Sequence, residues 1–347
     1  MSQSAPADGQ RRERRNIADL SIGERLDDEV YLLIQKELRT SHTGSLYIHA
    51  VVADQTGQMA ARMWDASREI YDAIPASGLL HVRGRIESYK GKPQLIIDGL
   101  RAVDPGTVDP TAFLPRTRHD VDQMWARLRD ILRSIRQPSL LALVARFVNN
   151  DEFAQRFRTA PAARALHHAY IGGLLEHTLS LLELAERVLP RYPQVSADLV
   201  LAGTFLHDAG KTTELVYENR FEYSDEGQLV GHIVQVVVWL DREARAIELE
   251  TGRPFPELLL AALKHVILAH HGQYEFGSPK LPASPEALMV HYLDNLDAKL
   301  NMMFAAIETD ADESSNWTSW VPALQTKVFK PDLARPAQKA PSQAGTD

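Results

Sequence analysis

The chain places a histidine, an aspartate and a lysine side by side at the end of an apolar helix. Residues 204–211 read TFLHDAGK, and the preceding run, ADLVLAGTFL, is apolar enough to predict a buried helix. Buried charges are costly unless they are paired or coordinate a metal. The segment therefore predicts either a buried ion pair or part of a metal site whose other ligands come from elsewhere in the chain.

Histidines are concentrated in the same part of the chain, and nine of the 13 lie between His167 and His291. A single histidine on an apolar face is more often a hydrogen-bonded core residue than a ligand. That explanation weakens for a set in which every member flanks apolar sequence on one of five helical segments. The candidate metal ligands are His177, His207, Asp208, His232, His270, His271 and Asp294.

The mixture of nitrogen and oxygen ligands narrows the choice of metal. Imidazole and carboxylate together suit Mn²⁺, Fe²⁺, Co²⁺ or Zn²⁺ better than Ca²⁺ or Mg²⁺. The chain has no cysteine, so disulfides and thiolate zinc sites are excluded. Seven ligands exceed the needs of one tetrahedral ion and suffice for two ions if one carboxylate bridges them, the usual arrangement for in-line displacement at phosphorus. We predict two divalent ions, Mn²⁺ first, with Co²⁺, Fe²⁺, Zn²⁺ and Mg²⁺ as alternatives.

The texture of the sequence changes once along the chain. Residues 18–104 read as five short strands, with a helical run, ASREIYDAI, between the third and the fourth. This pattern predicts a small Greek-key barrel of the OB type, and other small β-barrels stay open. From about residue 118 apolar residues recur at helical spacing. We expect helices over 138–158, 172–189, 196–207, 231–250, 256–271 and 285–304.

The order of the candidate ligands resembles a known family. Read as H…HD…H…HH…D with HDAGK in the middle, they resemble the HD-domain metal-dependent phosphohydrolases over most of residues 160–305. An OB-like domain ahead of HHAYIGGLLEHT, LHDAGK, AHHG and LDNLDAK is similar to the YhaM-type 3′–5′ exoribonucleases over about residues 18–305. The segment HHGQYEFGSPKLP lacks the G-Y-P signature of the cyclic-dinucleotide branch, which disfavours that substrate. The expected fold is multi-domain, a small all-β OB-type barrel followed by an all-α HD-domain helical bundle.

The resemblance also implies roles for the individual ligands. One ion would be held by His177, His207, Asp208 and Asp294. Asp208 would bridge to a second ion held by His232, His270 and His271.

Three further residues receive roles from the same resemblance. Asp297 competes with Asp294 as the last ligand because the two share one face of a helix. We favour Asp294, which takes the first-aspartate place in the D-x-x-D-A segment, and Asp297 would then orient a histidine. Lys211 would neutralise charge at phosphorus. His168 would contact the substrate or donate a proton. The catalytic residues are therefore expected to be Asp208, Lys211 and His168.

The predicted barrel carries cations interleaved with aromatic residues. Arg83 and Arg85 share one strand face, because side chains alternate with period two. Such a face suits single strands, on which bases stack and phosphates pair; a solvated charged hairpin is the alternative. Trp64 is predicted to be a core residue, and the arginines of residues 116–136 either line a channel or form an ordinary helix exterior. The predicted nucleic-acid-binding residues are Tyr47, His49, Arg83, Arg85, Tyr89, Lys90 and Lys92.

Composition and segment order complete the expected organisation. The net charge of −8 argues against a protein that simply coats nucleic acid. There is no secretory signal and no apolar run of bilayer length, so we expect a cytoplasmic protein without a membrane partner. The expected parts are a disordered N-terminus (1–16), an OB-fold nucleic-acid-binding domain (17–105), a basic linker and helical connector (106–160), an HD domain (161–310) and a C-terminal extension (311–347), largely disordered after 330.

Together these features predict a metal-dependent 3′–5′ exoribonuclease. It would hydrolyse single-stranded RNA, with single-stranded DNA as a further candidate partner, to nucleoside monophosphates by a two-metal mechanism. The direction and the RNA preference come from the resemblance alone. Two other hypotheses stay open: an HD phosphohydrolase acting on a small or cyclic nucleotide, and a non-catalytic single-strand-binding protein. A homo-oligomer also stays open.

Overall fold

The computed structural model describes residues 14–41, 44–75, 78–89, 91–104, 108, 113–163, 168–216, 222–310 and 315–333. Within them, a closed five-stranded barrel is followed by a set of packed helices. This confirms the predicted fold class. The predictions of disorder at the two ends of the chain fall mostly on residues outside the described ranges.

The barrel has the strand order of an OB fold. Its order is β1-β2-β3-β5-β4, closed by antiparallel pairing of β4 with β1, and the pairing of β3 with β5 is parallel. A helix lies between the third and fourth strands, as the sequence predicts. The elements are β1 (Arg25–Thr40), β2 (Leu46–Asp54), β3 (Gly57–Met63), α1 (Arg68–Ala73), β4 (Gly78–Tyr89) and β5 (Lys92–Ala102).

Alternation along most of β2 contributes to the barrel core. Ile48, Ala50 and Val52 are buried, whereas Tyr47 and His49 on the opposite face of the strand are only half-buried. Inward residues of a small barrel fill its interior, and burying a side chain of this size contributes roughly 1.5–3 kcal/mol. The outward residues of β2 and its neighbours are thereby left available for another task.

The helices after the barrel surround one apolar core. They are α2 (Val121–Leu132), α3 (Pro138–Val148), α4 (Asp151–Thr159), α5 (Gly173–Val188), α6 (Ala197–Leu206), α7 (Lys211–Glu214), α8 (Asp225–Leu229), α9 (His232–Thr251), α10 (Glu257–Ala269) and α11 (Pro285–Thr309). A two-stranded antiparallel sheet of β6 (Leu215–Val216) and β7 (Glu222–Tyr223) lies between α7 and α8. Short 3₁₀ helices lie at Ile17–Asp19, Leu189–Arg191, Tyr274–Phe276 and Pro322–Leu324.

The predicted helix over 138–158 is two helices in the structure. Asn149 ends α3 with φ −93° and ψ 2°. Asn150 caps α4, because its Oδ1 accepts a hydrogen bond from the Phe153 backbone N–H at 3.0 Å. Asparagine side chains compete with helical hydrogen bonds and favour caps, so two in succession break the helix.

Helix α6 lies at the centre of the helical domain. Every residue from Leu199 to Leu206 is buried, as expected for a helix that is apolar all round. Helices α5, α10 and α11 pack against it. The end of α6 therefore delivers His207 and Asp208 into the protein interior.

The barrel and the helical domain share a small apolar cluster. Leu32 on β1 is buried together with Phe113 and Leu114 of the connector, and Ile171 packs against them. The Thr117 backbone N–H donates to the Ile171 carbonyl at 2.9 Å. The connector is thus attached to the segment that directly precedes α5.

None of the helices in the described ranges has the length and apolar content needed to cross a membrane.

Candidate metal centre

The structure brings the seven predicted ligands together in the interior of the helical domain. They form two groups, and within each group one ligand atom per residue lies within 4.8 Å of the others. One group is His177, His207 and Asp294, and the other is Asp208, His232, His270 and His271.

Asp208 lies between the two groups. Its Oδ1 is 3.3 Å from His232 Nε2 and 3.7 Å from His270 Nε2. Its Oδ2 is 3.3 Å from His207 Nε2 and 3.8 Å from His177 Nε2. One carboxylate oxygen therefore faces each group, which is the arrangement that a bridging ligand needs.

Each of the five histidines is held through Nδ1. Every partner is a carbonyl or carboxylate oxygen, which can only accept, so Nδ1 donates and Nε2 is left to bind a metal. The partners, at 2.7–2.9 Å, are Asp297 Oδ2 for His177, Thr204 O for His207, Glu214 Oε1 for His232, Ile267 O for His270 and Phe276 O for His271.

Three buried polar atoms at the centre have no hydrogen-bond partner. They are Asp208 Oδ1, His232 Nε2 and His270 Nε2. Each unsatisfied buried group costs about 1–3 kcal/mol. All three converge on one region, because both imidazole nitrogens face the same carboxylate oxygen. A divalent cation would satisfy them together, and the donor set fits Mn²⁺, Fe²⁺, Co²⁺ or Zn²⁺.

The carboxylates of the cluster are held in their ionised form. Burial raises the pKa of Asp208, but the Lys211 ammonium and the contacts with His207 and His270 together outweigh burial and hold this pKa well below its usual range. Burial likewise raises the pKa of Asp294, and the contact with His177 lowers it to well below the usual value. Burial lowers the pKa of His177, whereas hydrogen bonds to Asp294 and Asp297 raise it to about 9. The cluster therefore attracts positive charge.

The structure distinguishes Asp294 from Asp297. Asp294 Oδ1 is 3.2 Å from His177 Nε2, the atom that faces the other candidate ligands. Asp297 Oδ2 accepts from His177 Nδ1 at 2.8 Å, on the other side of the ring, and its Oδ1 accepts from Ser180 Oγ at 2.5 Å. The geometry favours Asp294 as the ligand and Asp297 as the residue that orients His177.

Lys211 contacts the carboxylate between the two groups. Its Nζ donates to Asp208 Oδ2 at 2.7 Å, and only 12% of its side chain is exposed. Lys211 begins α7 directly after Gly210, where a Cβ would lie 2.5 Å from the His232 carbonyl oxygen. The glycine of HDAGK therefore allows α7 and α9 to approach closely enough for lysine and ligands to meet.

Glu214 is part of the cluster although the sequence did not single it out. Its Oε1 accepts from the His232 backbone N–H at 3.0 Å and from His232 Nδ1 at 2.9 Å. Burial raises the pKa of Glu214, and the contacts with His232 lower it below its usual value. The available signal was its place three residues after Lys211, on the same face of the short helix α7.

His168 is buried at the edge of the cluster, and both of its ring nitrogens have partners. Nδ1 is 2.7 Å from Tyr170 Oη, and Nε2 is 3.0 Å from Asp297 Oδ2. A proton donation from His168 to a substrate would require one of these hydrogen bonds to open.

A cleft of about 1450 Å³ lies between the barrel and the helical domain. Tyr89 and Lys92, at the β4–β5 turn, line it on the barrel side. His168, Tyr170 and Phe304 line it on the helical side. We call the seven candidate metal ligands the ligand cluster. The cleft therefore reaches from the outer face of the barrel to the edge of the ligand cluster.

One cation and three aromatic rings form a cluster on the outer face of the barrel. The Arg62 guanidinium carbon lies 4.2 Å from the ring centroid of Tyr89, 5.5 Å from that of Trp64 and 5.9 Å from that of Tyr47. The prediction of Trp64 as a core residue is wrong, because its side chain is 43% exposed. It follows the last residue of β3, where the inward and outward alternation ends. We call these four residues the aromatic cluster.

The two arginines predicted from β4 differ in their surroundings. Arg83 is exposed. Arg85 is paired with Glu87 on the same strand and with Asp98 on β5, each at 2.7 Å. A phosphate would have to compete with two carboxylates at Arg85 and with neither of them at Arg83.

The remaining predicted barrel residues are only partly available to a ligand. Lys92 Nζ donates to the Asp310 carbonyl, at the end of α11. His49 is half-buried, and burial, the largest influence, lowers its pKa. Lys90 lies outside the described residues.

Two of the connector arginines are neutralised by neighbouring carboxylates. Arg127 pairs with Glu183 and Glu186 of α5, and Arg133 pairs with Asp130 at 2.6 Å. These contacts indicate an ordinary helix exterior at α2, whereas Arg116 and Arg118, which precede α2, line the cleft.

A family model matches the helical part of the chain. The family model described as HD domain matches residues 174–299, the stretch that contains all seven candidate ligands. Among solved structures, the second OB-fold domain of replication protein A from Methanococcus maripaludis is 11% identical, with 27% of this chain and 99% of that chain covered and a TM-score of 0.22. A replication protein A heterotrimer bound to single-stranded DNA is 23% identical, with 24% and 62% covered and a TM-score of 0.18. The OB assignment rests on the strand order of the barrel itself, and the chain carries an HD domain behind an OB-type barrel.

Proposed function

We propose that this protein is a metal-dependent phosphodiesterase that degrades single-stranded RNA from its 3′ end to nucleoside monophosphates. The observation that supports this most directly is the cleft, which begins at Tyr89 of the aromatic cluster and ends at His168 beside the candidate ligands. A strand held on the barrel has a path to the cluster, and a pocket for a small nucleotide would not need that path.

The ligand assignment in this proposal uses two divalent ions, Mn²⁺ first. Bound ions would supply an activated water and neutralise the charge that develops at phosphorus. The protein contributes the orientation of the ligands, because each imidazole is fixed through Nδ1. One ion is assigned to His177, His207, Asp208 and Asp294, and the other to Asp208, His232, His270 and His271.

The remaining roles follow from position and charge. Lys211 is assigned to stabilise phosphate charge, since its ammonium lies within the cluster and a preorganised cation acts strongly in a buried site. His168 is assigned to the cleft wall beside the reacting phosphate. Tyr47, Trp64 and Tyr89 are assigned to base stacking, which is worth about 1–3 kcal/mol per base.

A second candidate is a phosphohydrolase for a small nucleotide. The observation in its favour is the balanced charge of the cleft lining, where Glu176, Glu222 and Glu308 offset Lys92, Arg116 and Arg118. Such a lining gives a long polyanion little net attraction, and a nucleotide that enters only the inner end of the cleft would not need that attraction.

The decisive experiment incubates the intact protein and Mn²⁺ with 5′-labelled single-stranded RNA. We expect a ladder that shortens from the 3′ end and release of mononucleotides. Immediate release of the labelled 5′ nucleotide would reverse the direction, and equal decay of matched DNA would remove the RNA preference. Hydrolysis of free nucleotides without any RNA cleavage would favour the second candidate. No hydrolysis with any divalent metal would leave a binding protein.

A further inference from the structure

A series of polar contacts runs from the interdomain connector to His168. Thr117 Oγ1 donates to the Glu176 carboxylate. Burial raises the pKa of the Tyr170 hydroxyl, and the nearby Glu176 carboxylate raises this pKa further; Tyr170 Oη is 2.7 Å from His168 Nδ1. Thr117 also pairs with Ile171 through its backbone, so the connector is fixed where this series of contacts begins.

The same series of contacts continues from His168 to His177, a candidate ligand. His168 Nε2 is 3.0 Å from Asp297 Oδ2, and that oxygen also accepts from His177 Nδ1 at 2.8 Å. Asp297 is additionally held by Ser180 through its other oxygen. An ionised carboxylate only accepts, so both imidazoles point an N–H at it. The orientation of the His177 ring therefore depends on that of the His168 ring, because both rings contact the same oxygen of Asp297.

His168 is held in a strained backbone conformation. Its φ of +47° lies in the left-handed region, which costs a residue with a side chain on the order of 1–3 kcal/mol and persists only where the surroundings enforce it. Its carbonyl accepts from Ala162 N at 3.1 Å, and its amide donates to Asn301 Oδ1 at 3.2 Å. Gly173 leaves room for that carbonyl, since a Cβ there would lie 2.1 Å from it. Several contacts thus maintain a strain that fixes the ring of His168.

We propose that Tyr170 and His168 are positioning residues that set the orientation of His177 through Asp297. We call Tyr170, His168 and Asp297 the relay. Only the metal position that includes His177 depends on the relay. The histidines of the other position, His232, His270 and His271, take their Nδ1 partners from Glu214 and main-chain carbonyls. Through Glu176 and Thr117 these contacts also reach the connector that carries the barrel. The inference rests on the proposed metal centre and not on any substrate.

The first test measures Mn²⁺ binding to the full chain by isothermal titration calorimetry, with no substrate present. Tyr170→Phe removes the hydroxyl from the relay and keeps the ring. We expect affinity to fall about 10–100-fold at one of two binding events, the usual cost of losing an orienting partner, and to stay the same at the other. Tyr292→Phe, at an exposed tyrosine on α11, is the matched control and should leave both events unchanged. An equal loss at both events, or no loss at either, would refute the relay.

The second test replaces His168 in two ways. In His168→Gln the amide nitrogen takes the place of Nε2 and keeps a donor toward Asp297, whereas in His168→Asn it takes the place of Nδ1 and keeps only the side toward Tyr170. We expect Gln to retain more Mn²⁺ affinity than Asn, even though Asn tolerates the left-handed backbone better and should give the higher melting temperature. If the Asn variant binds Mn²⁺ as well as or better than the Gln variant, His168 acts only through the backbone.

The outcome is separable from the proposed function. An intact protein that binds Mn²⁺ and shows these differences, but leaves RNA uncut, would contradict the nuclease proposal and support the relay. An intact protein that binds no divalent ion would overturn both.

Discussion

The ligand cluster and the aromatic cluster use polar side chains under opposite conditions. His177, His207 and His270 are fully buried, and each has one nitrogen fixed by a partner and the other turned toward the same centre. On the barrel, Arg85 is half-exposed and neutralised by two carboxylates, whereas Arg62 lies among aromatic rings. Burial leaves few ways to satisfy a polar atom, so a buried arrangement indicates its ligand more sharply than an exposed one.

That difference predicts where substitutions will matter most. In the interior, removal of one group leaves its partners unsatisfied at a cost of about 1–3 kcal/mol each. On the surface, water and neighbouring charges replace a lost contact, and a single exposed ion pair is worth roughly 0–1 kcal/mol. We therefore expect effects to decrease from the ligand cluster to the barrel.

The largest effect is expected for Asp208→Ala. Asp208 alone lies between both groups of ligands, so the variant should lose both ions. Turnover of a small phosphodiester such as a nitrophenyl ester should then fall by more than about 10³-fold, beyond the cost of removing one electrostatic stabiliser. Elemental analysis and kcat measure the two outcomes. Asp241→Ala, at an exposed aspartate, is the control, and two ions retained by Asp208→Ala would show that Asp208 does not bridge.

Lys211→Ala should have the second-largest effect. Its ammonium contacts Asp208 Oδ2 without being a possible metal ligand while protonated, so the metal content should persist. Turnover of the small ester should fall roughly 10²-fold, the usual cost of removing one preorganised stabiliser. Lys264→Ala, which removes an ion-paired lysine of α10, is the control. An unchanged kcat would reduce Lys211 to a structural partner of Asp208.

The clustering of the seven candidate ligands could be predicted, because a buried helix restricts which residue types can follow it. A histidine or aspartate at the end of an apolar helix such as α6 has few alternatives to pairing or coordination. The barrel topology was also predictable, because alternation and turn residues mark the strands and the helix after the third. In both cases the decisive information is local in the sequence.

The features that could not be predicted depend on partners distant in sequence. Asp98 reaches Arg85 only because the register of β4 and β5 places Arg85 opposite Ile96, two residues before Asp98 on the same strand. The exposure of Trp64 depends on where β3 ends. Tyr170 and Glu214 make contacts with histidines that exist only once the helices have packed. Surface function is therefore the part of this protein that sequence specifies least.

Removing the bound metal ions should lower the free energy of unfolding. An ion that binds only the folded state at 100 times its Kd stabilises by about 2.7 kcal/mol. For a domain of this size that corresponds to a melting temperature about 5–10 °C higher per ion. Thermal denaturation with and without a chelator measures the shift, and Asp208→Ala should show none. A chelator effect of equal size in that variant would place the stabilising ion elsewhere.

The smallest effects are expected on the barrel, and they sharpen the comparison there. Trp64→Ala removes a stacking surface worth about 1–3 kcal/mol, so the KM for long RNA should rise about 5–150-fold while kinetics on the small ester stay the same.

Arg85→Ala should change the KM for long RNA little, because the charge of Arg85 is already neutralised by Glu87 and Asp98. Neutralising Arg62 should flatten the salt dependence of RNA binding by roughly 0.7 in slope if it contacts one phosphate. The control is Trp320→Ala, an exposed tryptophan outside the aromatic cluster. If Arg85→Ala weakens RNA binding as much as Trp64→Ala, the carboxylates do not neutralise Arg85 and the strand crosses β4. If neither changes KM, the barrel does not hold the strand, and the small-nucleotide function becomes the better account of this protein.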